Sequence, residues 1–275
     1  LIHDDIEDDD GFRYGVPAMH RRFGTATAIN VGDYLIGMGY RLVSRECAQL
    51  GAEATADVLD CLAGAHTRLA EGQGAELIWR DAGDRRLKPI DALKVYALKT
   101  SPAFEAALFT GIRLAGSAAP YAEPIRTFSR NLGVAFQILN DLNDWQGDEN
   151  NKLSAGGDTL GGRPTLLFAL ALEKLSGGEA EELLELCSPY NTTPAAPRLA
   201  RVRQIYQQTG AFEAAHRLVD KHQQRAEEVA DAIEPESLRR LFYYLVDTVL
   251  ERPQETTPTL VSLNALPITA PPATA

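Results

Sequence analysis

Residues 136–144 read Phe136-Gln137-Ile138-Leu139-Asn140-Asp141-Leu142-Asn143-Asp144. The apolar side chains at 136, 138, 139 and 142 recur at the short steps of one helical face. Asn140 and Asp144 stand four apart, with Asp148 four further on, so their oxygens share a face as well. Acids set between strong apolar flanks point into something rather than out to water, because a buried carboxylate needs partners. The stretch therefore predicts a helix whose polar side lines an interior.

Working outward, the same three- and four-residue periodicity runs through 26–48, 54–79, 91–118, 122–145, 164–175, 198–208, 211–232 and 236–250. Alternating β-branched runs joined by hairpin turns are missing, so a sheet has nothing to be built from. Gly and Pro punctuate the breaks at 11–17, 81–89, 147–164 and 188–197. Pro89, Pro164 and Pro235 fall where the first turn of a helix tolerates a missing N–H. From Pro253 to Ala275 the chain is rich in Pro, Thr and Ala and nearly uncharged. The expected fold is all-α, a single helical-bundle domain over 1–252 around a central pocket, followed by a flexible tail over 253–275.

Composition narrows the function classes. The chain has 275 residues with 38 acidic and 27 basic side chains, a formal charge of −11, which argues against a nucleic-acid binder. No apolar run reaches the roughly 18 residues of a membrane-spanning helix. Cys47, Cys61 and Cys187 are scattered and lack CxxC spacing, which points to a reducing cytoplasm.

A second acidic cluster opens the chain: Asp4, Asp5, Glu7, Asp8, Asp9 and Asp10 supply six of the 38 acids within seven residues. The chain starts at Leu1, without methionine, directly before that run, so further N-terminal helices are expected upstream. On a helix Asp4 pairs in space with Asp8, and Asp5 with Asp9. Such like-charge pairs cost roughly 0.2–0.5 kcal/mol each, and no Lys or Arg is interleaved to relieve them. Two carboxylate clusters on facing helices suit Mg²⁺, which takes a few carboxylates plus waters and substrate phosphates. The implied ligand is a diphosphate, whose charge calls for several metals and some cations. Arg13 follows the first cluster, Lys99-Thr100 ends a helical stretch, and Lys152 and Arg163 bracket the loop after the second.

The sequence resembles the trans-polyprenyl diphosphate synthase family, the head-to-tail prenyltransferases. The resemblance rests on residues 1–35, LIHDDIEDDDGFRYGVPAMHRRFGTATAINVGDYL, on Gly72-Gln73, Lys99-Thr100 and Phe136 to Asp144, and on Gly156-Gly157-Asp158 leading to Gly162-Arg163-Pro164-Thr165-Leu166. It covers about residues 1–250. It implies a helical barrel around a deep pocket, normally a homodimer, of farnesyl/geranylgeranyl type. The implied reaction is ionisation of an allylic diphosphate, assisted by three Mg²⁺, and attack of isopentenyl diphosphate on the cation.

Carried over residue by residue, the resemblance assigns Asp4 and Asp8 to Mg²⁺ with Asp5 supporting, and Asn140, Asp141 and Asp144 to the second metal motif. Arg13, Lys99, Lys152 and Arg163 would hold diphosphate. Thr100 and Gln137 would turn oxygens toward the developing cation, and Phe136 would pack on the second substrate. His3 and His20 fall on family motif positions and read as structural. Tyr14 stands where the family has a second arginine, Asn140 where it has Asp, and the family's Gly-Lys-Arg segment would precede Leu1. These departures weaken the isopentenyl diphosphate site. They leave two alternatives: a terpene synthase that ionises a prenyl diphosphate and quenches the cation internally, and a non-catalytic subunit of a hetero-oligomer.

Overall fold

A computed structural model describes residues 1–145 and 156–250; Asp148, Lys152 and the 253–275 tail lie outside the described residues. The chain folds as helices α1 (Ile2–Glu7), α2 (Met19–Phe23), α3 (Thr25–Ser44), α4 (Cys47–Leu50), α5 (Ala52–Arg80), α6 (Pro89–Lys99), α7 (Ser101–Ala115), α8 (Ala122–Asp144), α9 (Gly157–Leu160), α10 (Leu166–Lys174), α11 (Gly178–Leu186), α12 (Ala195–Thr209), α13 (Ala211–Asp231) and α14 (Glu236–Val249). The all-α expectation holds, with one small exception. Strands β1 (Phe12–Arg13) and β2 (Val16–Pro17) form an antiparallel hairpin, two residues a side. Among the described residues no helix is long and apolar enough to cross a membrane.

α8 is the axis of the core. Its Phe128, Leu132, Ala135 and Ile138 are fully buried, and burying a Phe, Leu or Ile side chain contributes about 2 kcal/mol. α13 packs along it through Ala211, Ala215, Val219, Ala226 and Ala230, a stripe at helical spacing whose small side chains let the two helices approach closely. Phe242 of α14 meets the Phe128 ring at 4.3 Å. Trp145, at the end of α8, is held edge-on by Tyr206 and Phe212 at 5.4 and 6.1 Å. The Arg203 guanidinium lies over its indole at 5.5 Å and also donates to the Trp145 carbonyl. These contacts fix the end of α8 that carries the second acidic cluster.

The periodic stretch 91–118 is two helices, α6 and α7, parted at Lys99-Thr100, where the sequence places the end of a helical stretch. Pro102 lacks an N–H and its ring would collide with the carbonyl four residues back, so the helix cannot run straight through. Thr100 leaves the helical region at φ −128°. The break places Lys99 and Thr100 at an interior corner. Pro89 begins α6 as expected, whereas Pro235 caps α14 and Pro164 precedes Thr165, the residue that caps α10 by accepting from the Phe168 N–H at 3.2 Å. α11 was not anticipated from periodicity.

Candidate active site

α1 ends where Asp9 takes a left-handed conformation, φ 54°, and the Asp10 N–H closes onto the Asp5 carbonyl at 2.9 Å. The chain then turns back through the β1–β2 hairpin, whose Tyr14 and Gly15 both have positive φ, the requirement of a tight two-residue turn. That return brings Arg13 against α1. Its Nε donates to Asp5 Oδ1 at 2.9 Å, and its Nη2 donates to the same oxygen. Burial opposes the Arg13 charge, but Asp5 outweighs it and the guanidinium pKa rises. Asp5 is buried, Asp4 half-buried, and Tyr14 is 69% exposed at the hairpin tip. His3 locks α1 to α3: its Nε2 lies 3.2 Å from the Ile29 carbonyl, over Gly32, where any Cβ would fall 2.4 Å from that nitrogen.

The second cluster divides by direction. Asp141 turns inward, where Tyr96 donates its hydroxyl to Oδ2 and the Leu166 N–H donates to the same atom at 2.9 Å. Burial, and then the negative charge of Asp158, push its carboxyl well above the usual range; burial and Asp141 push the Tyr96 hydroxyl up likewise. Asp141 thus ties α8 to α6 and to the start of α10. Asp144 accepts from the Gly157 N–H at 3.2 Å and from the Asp158 N–H at 3.3 Å, capping α9. Asn140 is exposed. Gln137 accepts from the Thr100 hydroxyl at 3.1 Å, and Phe136 meets Phe104 edge-on at 6.3 Å.

Arg163 joins the first cluster to Asp158, whose backbone N–H donates to Asp144 of the second. Its Nη2 lies 3.1 Å from Asp8 and 3.2 Å from Asp10, while Nη1 lies 3.0 Å from Asp158. Burial opposes its charge, but Asp158, Asp8 and Asp10 outweigh the penalty and raise its pKa. On the inner side Lys99 pairs with Glu76 at 2.8 Å. A polar cavity of about 20 Å³ lies among Glu76, Lys99, Gln137, Asp158 and Arg163, which is room for one water. Gln73 of α5 donates to Asp8 at 3.3 Å.

The structure therefore brings Asp5, Asp8, Arg13 and Arg163 into one charged network and sets Lys99, Thr100 and Gln137 beside it. Asp10, Glu76, Tyr96 and Asp158 belong to the same site and were not picked out from the sequence. Asp10 stands in the acidic run and Asp158 in the Gly-Gly-Asp triplet, and neither position by itself assigns the residue a role. Glu76 carried a usable signal, since it lies one helical turn after Gly72.

Among the described residues no three His, Cys, Asp or Glu side chains converge into a preformed metal cage. The donors expected from the sequence are carboxylates and an Asn carbonyl, all hard oxygens, spread over two clusters. That set fits Mg²⁺, which completes its octahedron with water and phosphate oxygens rather than protein alone.

The polyprenyl synthetase family model matches residues 1–208. The short chain isoprenyl diphosphate synthase of Methanothermobacter thermautotrophicus is 30% identical over 254 residues, covering 92% of this chain and 75% of that relative. The farnesyl diphosphate synthase of Bacillus subtilis is 31% identical over 179 residues, covering 63% and 60%. The polyprenyl synthase of Caulobacter crescentus, solved with calcium and isoprenyl diphosphate, superposes with a TM-score of 0.79 at 28% identity, covering 92% of this chain and 74% of that one. The geranylgeranyl pyrophosphate synthetase of Pyrococcus horikoshii gives a TM-score of 0.80 at 25% identity, covering 92% and 75%.

Proposed function

The chain belongs to the polyprenyl synthetase family, and on that premise we propose that it condenses an allylic prenyl diphosphate with isopentenyl diphosphate, using Mg²⁺, to give a longer trans-prenyl diphosphate. The observation that carries this is the Arg163 bridge from Asp8 and Asp10 to Asp158, which ties the first acidic cluster to the loop held by Asp144 of the second and sets Arg163 and Lys99 around one small polar cavity.

Asp4 and Asp8 of the first cluster and Asn140 and Asp144 of the second hold the metal, three ions per site, with Asp5 supporting through Arg13. When bound, the ions neutralise charge on the departing diphosphate. Arg13, Arg163 and Lys99 grip the diphosphate oxygens, and their fixed positive charge favours the transition state, where the leaving group is most negative. Thr100 and Gln137 turn neutral oxygens toward the allylic cation, and the Phe136 and Phe104 rings supply apolar and π surface that excludes water. The alkene of isopentenyl diphosphate forms the new carbon–carbon bond as the allylic carbon–oxygen bond breaks. The isopentenyl unit then loses a proton to the released diphosphate, which departs carrying it.

The active form is a homodimer in the cytoplasm. α3 leaves Ile29, Tyr34, Leu35 and Leu42 exposed, more large apolar surface than a solvated helix normally carries, and a second copy would cover it. The three cysteines are unpaired, as in a reducing compartment.

The metal assignment is tested by Asp4→Ala and Asp8→Ala. Each should lower Mg²⁺-dependent turnover about a hundredfold or more with the helical circular dichroism unchanged. Wild-type rates in both would contradict it.

A further inference from the structure

α5 touches Lys99 at two points one helical turn apart. At Gly72 the absent side chain lets the helix press on the α6–α7 corner, since a Cβ there would fall 2.7 Å from the Lys99 nitrogen and 2.8 Å from the Leu98 carbonyl carbon. At Glu76, four residues on and on the same face, the carboxylate accepts from Lys99 Nζ at 2.8 Å. The same side of α5 carries Gln73, which donates to Asp8, and Arg80, which donates to the Glu7 carbonyl at 3.0 Å. One stripe of α5 thus sets the distance between the first acidic cluster and the Lys99 ammonium.

The pair is costly for packing alone. Glu76 and Lys99 side chains are only 8% and 15% exposed, and a buried ion pair generally stabilises a fold no better than well-packed apolar residues of similar volume. The lysine stem is long and rotatable, whereas a group that grips a leaving diphosphate must stay within a fraction of an ångström of its working place. Both residues line the small polar cavity shared with Gln137, Asp158 and Arg163.

We propose that Glu76 is a positioning residue, which does not touch substrate but holds the Lys99 ammonium where it meets the allylic diphosphate, in register with Asp8 through the shared face of α5. This rests on the prenyltransferase function above and on the role given there to Lys99.

The test is a kinetic cycle of Glu76→Gln, Lys99→Met and the double variant, with thermal unfolding as the check on folding. Calorimetric binding of inorganic diphosphate with Mg²⁺ serves as a readout independent of turnover. Glu76→Gln should lower kcat/KM for the allylic diphosphate by about ten- to a hundredfold and weaken diphosphate binding, while KM for isopentenyl diphosphate stays within about twofold. In the Lys99→Met background it should add less than about twofold, because the residue it acts through is gone. Glu76→Gln with wild-type kinetics, equal losses for both substrates, or losses that multiply in the double variant would overturn the proposal. If Glu76→Gln does not fold, Glu76→Leu combined with Lys99→Met leaves no charge unpaired. Activity equal to Lys99→Met alone then supports positioning, and a further loss overturns it. Lys99→Met with wild-type kinetics would overturn the role of Lys99 as well, whereas impaired Lys99→Met beside intact Glu76→Gln overturns positioning alone.

Discussion

Arg163 lies 3.1 Å from Asp8, so a residue of the loop before α10 closes the acidic cluster that opens the chain. The same guanidinium reaches Asp10 and Asp158, so it pairs with three carboxylates at once. Its removal takes from three carboxylates the cation they share. Taking one partner out of a buried pair costs about 3–5 kcal/mol. Arg163→Met is therefore expected to lower the unfolding free energy by about 3 kcal/mol in EDTA, with much of the loss recovered on adding Mg²⁺. Denaturant unfolding with and without the ion measures both. Equal destabilisation in the two buffers would speak against the acids as a metal site.

Tyr96 and Asp141 share a hydroxyl proton in the core. Tyr96→Phe leaves Asp141 with the Leu166 N–H as its remaining named donor and should cost about 1–3 kcal/mol, the penalty for an under-satisfied buried polar group. Turnover of the folded variant should stay within severalfold of wild type. Lost turnover with unchanged stability would mark Asp141 as acting on metal or substrate rather than as a rivet between α8, α6 and α10.

Gly72 and Gly64 lie on the same helix and make a matched pair. Gly72→Ala forces its Cβ into the Lys99 backbone, where neither neighbour is a flexible tip, and should cost roughly 1–3 kcal/mol together with activity on the allylic substrate. Gly64 has nothing within 4 Å of an added Cβ, so Gly64→Ala should stabilise by about 0.5–1 kcal/mol with kinetics unchanged. Thermal unfolding and kcat/KM of the two variants give the comparison.

His222 gives the fold an acid limit. Asn131 Nδ2 donates to the Thr127 carbonyl, so Asn131 Oδ1 accepts, and His222 Nδ1 carries the proton across 2.9 Å. Burial, followed by the charges of Arg225, Lys221 and Arg130, pulls the His222 pKa down to about 4 from 6.5. The unfolded chain takes up the proton first, so this stability is present above pH 6.5 and is lost as pH falls toward 4. His222→Gln should flatten the fall in Tm between pH 7 and pH 5. An unchanged slope would place the acid sensitivity elsewhere.

Much of the fold was legible in the sequence because helices report their buried faces by spacing. The α13 stripe from Ala211 to Ala230 and the apolar side of α8 follow directly from it. The end of a helical stretch at Lys99-Thr100 is legible, but the apolar period of 91–118 does not mark the break, because Pro102 sits inside a run that continues on both sides of it. The short β1–β2 turn escaped because two residues a side are too few to alternate. In the site, Arg13 beside Asp5 was readable as a near neighbour. The Arg163 bridge to Asp8 and the Glu76 pair with Lys99 arise only when separate helices meet, and spacing along one strand of sequence does not report that. Asp141 and Asp144 look equivalent in sequence and both are buried; their partners separate them, Tyr96 and the Leu166 N–H for Asp141, the Gly157 and Asp158 N–H groups for Asp144.

The most direct test of the account is product analysis with isotope-labelled isopentenyl diphosphate, an allylic diphosphate and Mg²⁺. The account predicts label in a longer prenyl diphosphate, formed only with both substrates present and lost in Asp8→Ala. Hydrocarbon or alcohol released from the allylic diphosphate alone, with no label in any product, would contradict it.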